Sequence, residues 1–170
     1  MFDTRVFVAF VCAALVIPSI GAGQDRGTPS TPEETMVDVS IALMVAGQPY
    51  NFGAKSLCTH APLASIYGTN AQQWRVEHND GQHSVSLTFW RPAAGSGDMF
   101  TLQCTTSGKS YLVSTVKTSG GGTIQGSGKV RFTPSEPGGT FTIDATTTNG
   151  STITGTIKCS GFSAAVAEGG

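Results

Sequence analysis

Apolar side chains recur at every second position along most of the chain from residue 37 onward. Val37, Val39, Ile41, Leu43 and Val45 alternate with polar or small residues, the period of two that sends successive side chains to opposite faces of a strand. Ala46-Gly47-Gln48-Pro49 can turn the chain, and Tyr50, Phe52 and Ala54 resume the alternation. Trp74–His78 and His83–Phe89 flank Asn79-Asp80-Gly81-Gln82, a hairpin signature. Further strands are expected at Phe100–Cys104 and Tyr111–Val116. Beyond Ser119-Gly120-Gly121-Gly122 they continue at Gly126–Phe132, Thr140–Ala145 and Thr152–Cys159, the last two joined through Thr147-Thr148-Asn149-Gly150. No stretch holds a helical period for three turns; Ala61–Tyr67 has room for one short helical turn. About nine strands at hairpin spacing predict an all-β fold, a single antiparallel β-sandwich with a small barrel as second choice.

The ends of the chain read differently. Arg5 precedes the apolar run Val6–Ile17, shorter than the roughly 20 residues that span a bilayer, and Pro18-Ser19-Ile20-Gly21-Ala22-Gly23 supplies small residues for cleavage. Residues 1–23 are therefore expected to be a signal peptide, and the mature protein secreted, periplasmic or cell-surface, with no membrane span. Cys12 lies inside the apolar run behind bulky Phe10-Val11, which argues against lipidation. Residues 24–35, with Pro29 and Pro32, form an expected flexible linker; 36–162 form the sandwich domain, and 163–170 a disordered C-terminal tail.

Composition narrows the function classes. With 10 Lys+Arg against 11 Asp+Glu the formal charge is -1, and the pI is about 6.3, so no nucleic-acid partner is expected. Only 12% of residues are charged, while 39% are hydrophobic, which opposes disorder of the body.

After signal removal Cys58, Cys104 and Cys159 remain, and an oxidising compartment favours a bridge between two of them. All three fall in the apolar phase of their strands, so alternation leaves the pairings open. Cys58–Cys159 is preferred and Cys104–Cys159 is next; the former closes a loop of about 100 residues, which the chain-entropy treatment values at roughly 4.7 kcal/mol. Cys104 would then be a small buried hydrophobe.

The strand Val39-x-Ile41, followed by Gly47-Gln48 and an apolar strand ending in Cys58, resembles the small actinobacterial lipoprotein antigens of about 19 kDa. So do the final Thr156-Ile157-Lys158-Cys159, the Phe141-x-Ile143-x-Ala145 strand before it and the polar linker. The resemblance implies a β-sandwich surface antigen with possible ligand binding and no enzymology. The lipidated cysteine of that family has no counterpart here, and Cys104 is additional.

Residues able to do chemistry are sparse. His78, His83 and Asp80 surround one hairpin turn and are weak candidates for zinc or copper, a solvated turn being the plainer reading. No metal or other cofactor is expected. Ser, His and Asp occur without a Gly-x-Ser-x-Gly nucleophile elbow, and Asp38, Glu77, Asp80, Asp98, Glu136 and Asp144 are scattered. A secreted hydrolase remains the alternative; a Ser hydroxyl within hydrogen-bond reach of His60, His78 or His83 would favour it. Trp74 and Phe89 fit the core phase, whereas Trp90 falls in the opposite phase beside Arg91. An exposed Trp90 can stack on a sugar ring or cover an apolar ligand, so Trp90 and Arg91 are the candidate ligand-binding residues. The expected function is a non-enzymatic binding module or surface antigen of the cell envelope or exterior. Its partner would be a small apolar ligand, a glycan or a surface protein.

Overall fold

The computed structural model describes residues 35–95 and 97–165; the expected signal peptide and the linker up to residue 34 lie outside the described residues. The fold is all-β. Eleven strands build one sheet: β1 (Met36–Val45), β2 (Gln48–Ile66), β3 (Thr69–Asn79), β4 (Ser84–Pro92), β5 (Met99–Thr106), β6 (Lys109–Thr115), β7 (Ile124–Gln125), β8 (Ser127–Ser135), β9 (Gly138–Thr146), β10 (Thr152–Cys159) and β11 (Ser163–Ala164). Ten of them follow the order β7-β6-β5-β4-β3-β2-β1-β10-β9-β8, every neighbour antiparallel; β11 pairs parallel with β2. β1 and β10, far apart in the chain, are adjacent in the sheet, with Ile41 opposite Ile157 and Val39 opposite Cys159.

This continuous sheet curls into a half-barrel, so the barrel alternative describes the architecture better than two separate stacked sheets. Inward-facing residues of the longer strands meet residues of the same sheet across the interior. Val39, Ile41 and Leu43 of β1 join Val76, Leu87, Leu102, Val113, Phe141, Ile143, Ile153 and Ile157 in one buried core. Aromatic rings carry the contact between the two arms. Phe132 of β8 lies 4.9 Å from Trp74 and 4.8 Å from Phe141, and Phe89 of β4 lies 5.9 Å from Phe141. Such ring pairs add about 0.5–1.5 kcal/mol each beyond the area they bury. Trp74 and Phe89 are thus core residues, as their phase indicated.

Glycine permits the curl where strands approach most closely. Gly155 in β10 has φ +134, and a Cβ there would run into the carbonyl of Ala42 on β1. Gly128 in β8, at φ +143, lies in the same way against Asp144 and Ala145 of β9. The free edge at β8 is guarded by Lys129, Arg131 and Pro134, which discourage pairing with another chain.

Three features depart from the pattern-based expectation. The segment 61–67 is not a helical turn: β2 runs on to Ile66, with a register shift between Ala61 and Ala64, and then turns at Tyr67-Gly68 (φ 45 and 76). The one extra residue of the bulge breaks the period of two, which is why the strand looked interrupted. Second, β3 begins at Thr69, well before Trp74. Third, order extends past Phe162, because Ser163 and Ala164 pair with Thr59 and His60. β1 pairs with β2 only as far as Leu57, and β11 takes up the edge left beyond that point. Of the expected tail, residues 166–170 lie outside the described residues.

Cys58 and Cys159 form a disulfide with a Cα–Cα separation of 6.5 Å, tying β2 to β10 across the start of β1. Cys104 is free and buried, and burial pushes its thiol up to about 12. No helix among the described residues is long and apolar enough to cross a membrane.

Candidate functional site

Trp90 and Arg91 are consecutive residues of β4 and so point to opposite faces of the sheet. Trp90 faces outward, half-buried, against Ile66, Ala71, Met99 and Val116. This small apolar cluster sits on the convex side of the half-barrel, away from the main core. The β2 bulge produces it, since the shift turns Ile66 to the outer face opposite Thr69.

A groove of about 420 Å³ opens over Trp90. Its floor crosses the strands through Gln73, Trp90, Thr101 and Ser114 to Gln125 of β7, with Leu112 at one side. The opposite wall is the turn residue Tyr67 together with Ile66, Val116 and Thr123. Gly121 lies against the Tyr67 ring, and Thr118 and Gly121 exchange backbone hydrogen bonds that brace the loop after β6. Inside the groove Thr101 Oγ1 and Ser114 Oγ are 3.1 Å apart and hydrogen-bonded to each other. The side chains of Ser65, Gln73, Thr123 and Gln125 have no hydrogen-bond partner within the described residues. No charged residue among the described residues lines the groove.

Arg91 belongs to a different depression. Its guanidinium lies 5.8 Å from the Trp74 ring centre and 5.6 Å from that of Phe89, closing the core at this end. Nε and a terminal nitrogen donate to the two carboxylate oxygens of Asp98 at 3.0 and 2.8 Å. That fork raises the Arg91 pKa further and leaves the guanidinium partnered. The second groove, about 630 Å³, runs from Pro62 and Leu63 at the bulge to Arg91 and Pro92. The two candidate ligand-binding residues therefore line different grooves.

The histidines also separate. His78 is buried on the inner face; its Nδ1 is 2.8 Å from Ser56 Oγ, and Phe52 lies 4.2 Å from its ring. Burial lowers its pKa, and Nε2 has no hydrogen-bond partner among the described residues. His83 is more exposed and faces Asp80, whose Oδ2 is 3.2 Å from Nδ1. Asp80 Oδ1 accepts the backbone N–H of Gln82 and His83, which holds its carboxyl down at about 2. Asp80 is thus a turn cap. No group of three His, Cys, Asp or Glu side chains among the described residues is arranged to hold a metal ion. His60 stacks on Trp74 at 4.5 Å, and burial lowers its pKa.

The serine–histidine contact that would favour a hydrolase does occur, between Ser56 and His78. Sequence reasoning missed Ser56, although its even phase in β2, shared with Cys58, places it on the inner face. Its setting is poor for catalysis. Ser56 is 1% exposed and lines none of the grooves described, and the second ring nitrogen of His78 has no carboxylate to orient it.

No protein-family model, curated protein or solved structure matches this chain.

Proposed function

We infer that this protein is a secreted, non-enzymatic binding module of the cell envelope or exterior, and that its ligand seats in the outer-face groove over Trp90. The observation that carries the reading is an aromatic side chain left partly exposed on the convex face, beside polar side chains that have no hydrogen-bond partner among the described residues. A sheet face used only for solvation has no need of a braced Tyr67 wall or of a large indole. The groove's volume falls within the roughly 300–1,000 Å³ of small-molecule sites. The disulfide agrees with an oxidising compartment. The surface-antigen character implied by the lipoprotein-antigen resemblance is part of the same proposal.

Native mass spectrometry of the mature protein purified from its natural producer tests this. A bound small molecule on the wild type that is lost in Trp90→Ala is the expected result. A ligand retained equally by both would move the site away from the groove.

The hydrolase reading is favoured by the Ser56–His78 contact and opposed by the burial of Ser56. A fluorophosphonate probe decides between them. Ser56 should stay unlabelled in the folded protein; stoichiometric labelling at Ser56 would make the protein an enzyme.

A further inference from the structure

We propose that the occupant of the Trp90 groove is a neutral saccharide, a pyranose ring of a glycan chain. The proposal rests on the groove being a binding site, and goes beyond it by assigning the ligand class from the wall chemistry.

The walls carry two kinds of group. Trp90 and Tyr67 contribute aromatic surface to the lining, and Tyr67 is 51% exposed. The rest of the polar lining is amide and hydroxyl: Gln73, Gln125, Ser65 and Thr123, each without a hydrogen-bond partner among the described residues, beside the Thr101–Ser114 pair. A glutamine amide presents a donor and an acceptor side by side, and a hydroxyl can serve as either. A pyranose matches this set. Its C–H face is apolar and fits against an indole, while its hydroxyls, each donor and acceptor, project from the rim toward amides and hydroxyls.

Other ligand classes fit less well. An anionic ligand would meet no lysine, arginine or histidine, because none among the described residues lines the groove. A purely apolar ligand would cover the Gln73 and Gln125 amides and leave them buried without hydrogen bonds, at a cost for each. The groove also runs across the strands and is open at the surface, so a ring within a longer chain can lie in it with both neighbours in solvent.

The test is titration of the mature protein with maltohexaose, cellohexaose and mannohexaose, followed by calorimetry and tryptophan fluorescence. An oligogalacturonate serves as the anionic counterpart and N-phenylnaphthylamine as the apolar one. At least one neutral hexasaccharide should bind and perturb tryptophan emission. Its affinity should be the same at low and high salt, since no charge in the groove is there to be screened. Trp90→Ala should weaken binding by roughly tenfold or more, and Trp90→Phe should restore part of it. Gln125→Leu should weaken binding by a few-fold through the lost hydrogen bond. Gln125 is exposed on a two-residue strand, so this variant leaves the core intact, which circular dichroism checks.

Binding of N-phenylnaphthylamine alone, lost in Trp90→Ala, overturns the saccharide and leaves the groove as a binding site. Binding of the oligogalacturonate alone overturns neutrality. A saccharide that binds equally to wild type, Trp90→Ala and Gln125→Leu places its site elsewhere and overturns the proposal. If none of the probes binds, both the ligand class and the groove's role fall.

Discussion

Trp90 and Phe141 show how two large aromatic side chains of one sheet carry different burdens. Phe141 is fully buried and touches the rings of Phe89, Phe132 and Phe162. Truncating such a residue leaves a cavity as well as losing transfer free energy, so Phe141→Ala should cost about 3–5 kcal/mol. Trp90 is half-buried against the small cluster of Ile66, Ala71, Met99 and Val116. Its loss removes packing on one side only, and Trp90→Ala should cost about 1–2 kcal/mol. Urea denaturation of both variants checks the contrast. A Trp90→Ala cost equal to that of Phe141→Ala would make the outer cluster a second core and weaken its reading as a site. The phase of Trp90 was legible from Val85-Ser86-Leu87-Thr88-Phe89-Trp90. Its apolar neighbours were not, because Ile66 reaches the outer face only through the bulge in β2.

At the scale of elements, the β3–β4 hairpin holds two groups whose titration opposes acid. His78 has its pKa lowered by burial, so the unfolded chain binds more protons than the folded one as pH falls below about 6.5. Asp80 is held down to about 2 by the two backbone N–H groups it caps, so its contribution is complete above about 4 and is lost as pH falls toward 2. Stability should therefore decline in two steps on acidification, a first that begins below about pH 6.5 and to which His60, also lowered by burial, contributes, and a second below about 4. Asp80→Asn should remove much of the second step and leave the first in place. Thermal melts from pH 7.5 to 2.5 check this; a first step as large in His78→Gln would assign it to another histidine. The hairpin itself was readable because Asn-Asp-Gly-Gln interrupts two clean alternations. β7 and β11, at two residues each, have no periodicity to read. Alternation also says which side chains face inward without saying what they meet, so one curled sheet and two stacked sheets look alike in sequence. Arg91 shares the inward phase of Phe89, and that phase is the signal that separates it from Trp90.

For the molecule as a whole, the half-barrel must keep both arms of one sheet folded toward each other although no ladder joins β6 to β8. Two devices do this. The aromatic contacts of Trp74, Phe89, Phe132 and Phe141 bridge the interior near the opening. On the far side, the Cys58–Cys159 bridge fixes β2 to β10 over a sequence separation of 101 residues. The bridge acts mainly on the unfolded chain, where closing so long a loop removes conformational freedom; loss of a native bridge typically costs about 2–5 kcal/mol. The double variant Cys58→Ser/Cys159→Ser should therefore still fold, with its urea midpoint lowered by an amount in that range. Its steeper dependence on denaturant should reflect a more expanded unfolded state. Cys104 supplies the control within the same molecule. Its thiol is buried and pushed up to about 12, so iodoacetamide should leave it unmodified in the native wild type and label it once urea unfolds the chain. In the double variant, labelling should begin at lower urea, in step with the loss of structure. Native-state labelling of Cys104 in the double variant at zero urea would show that the aromatic contacts alone do not hold the half-barrel together and that the bridge defines the folded state.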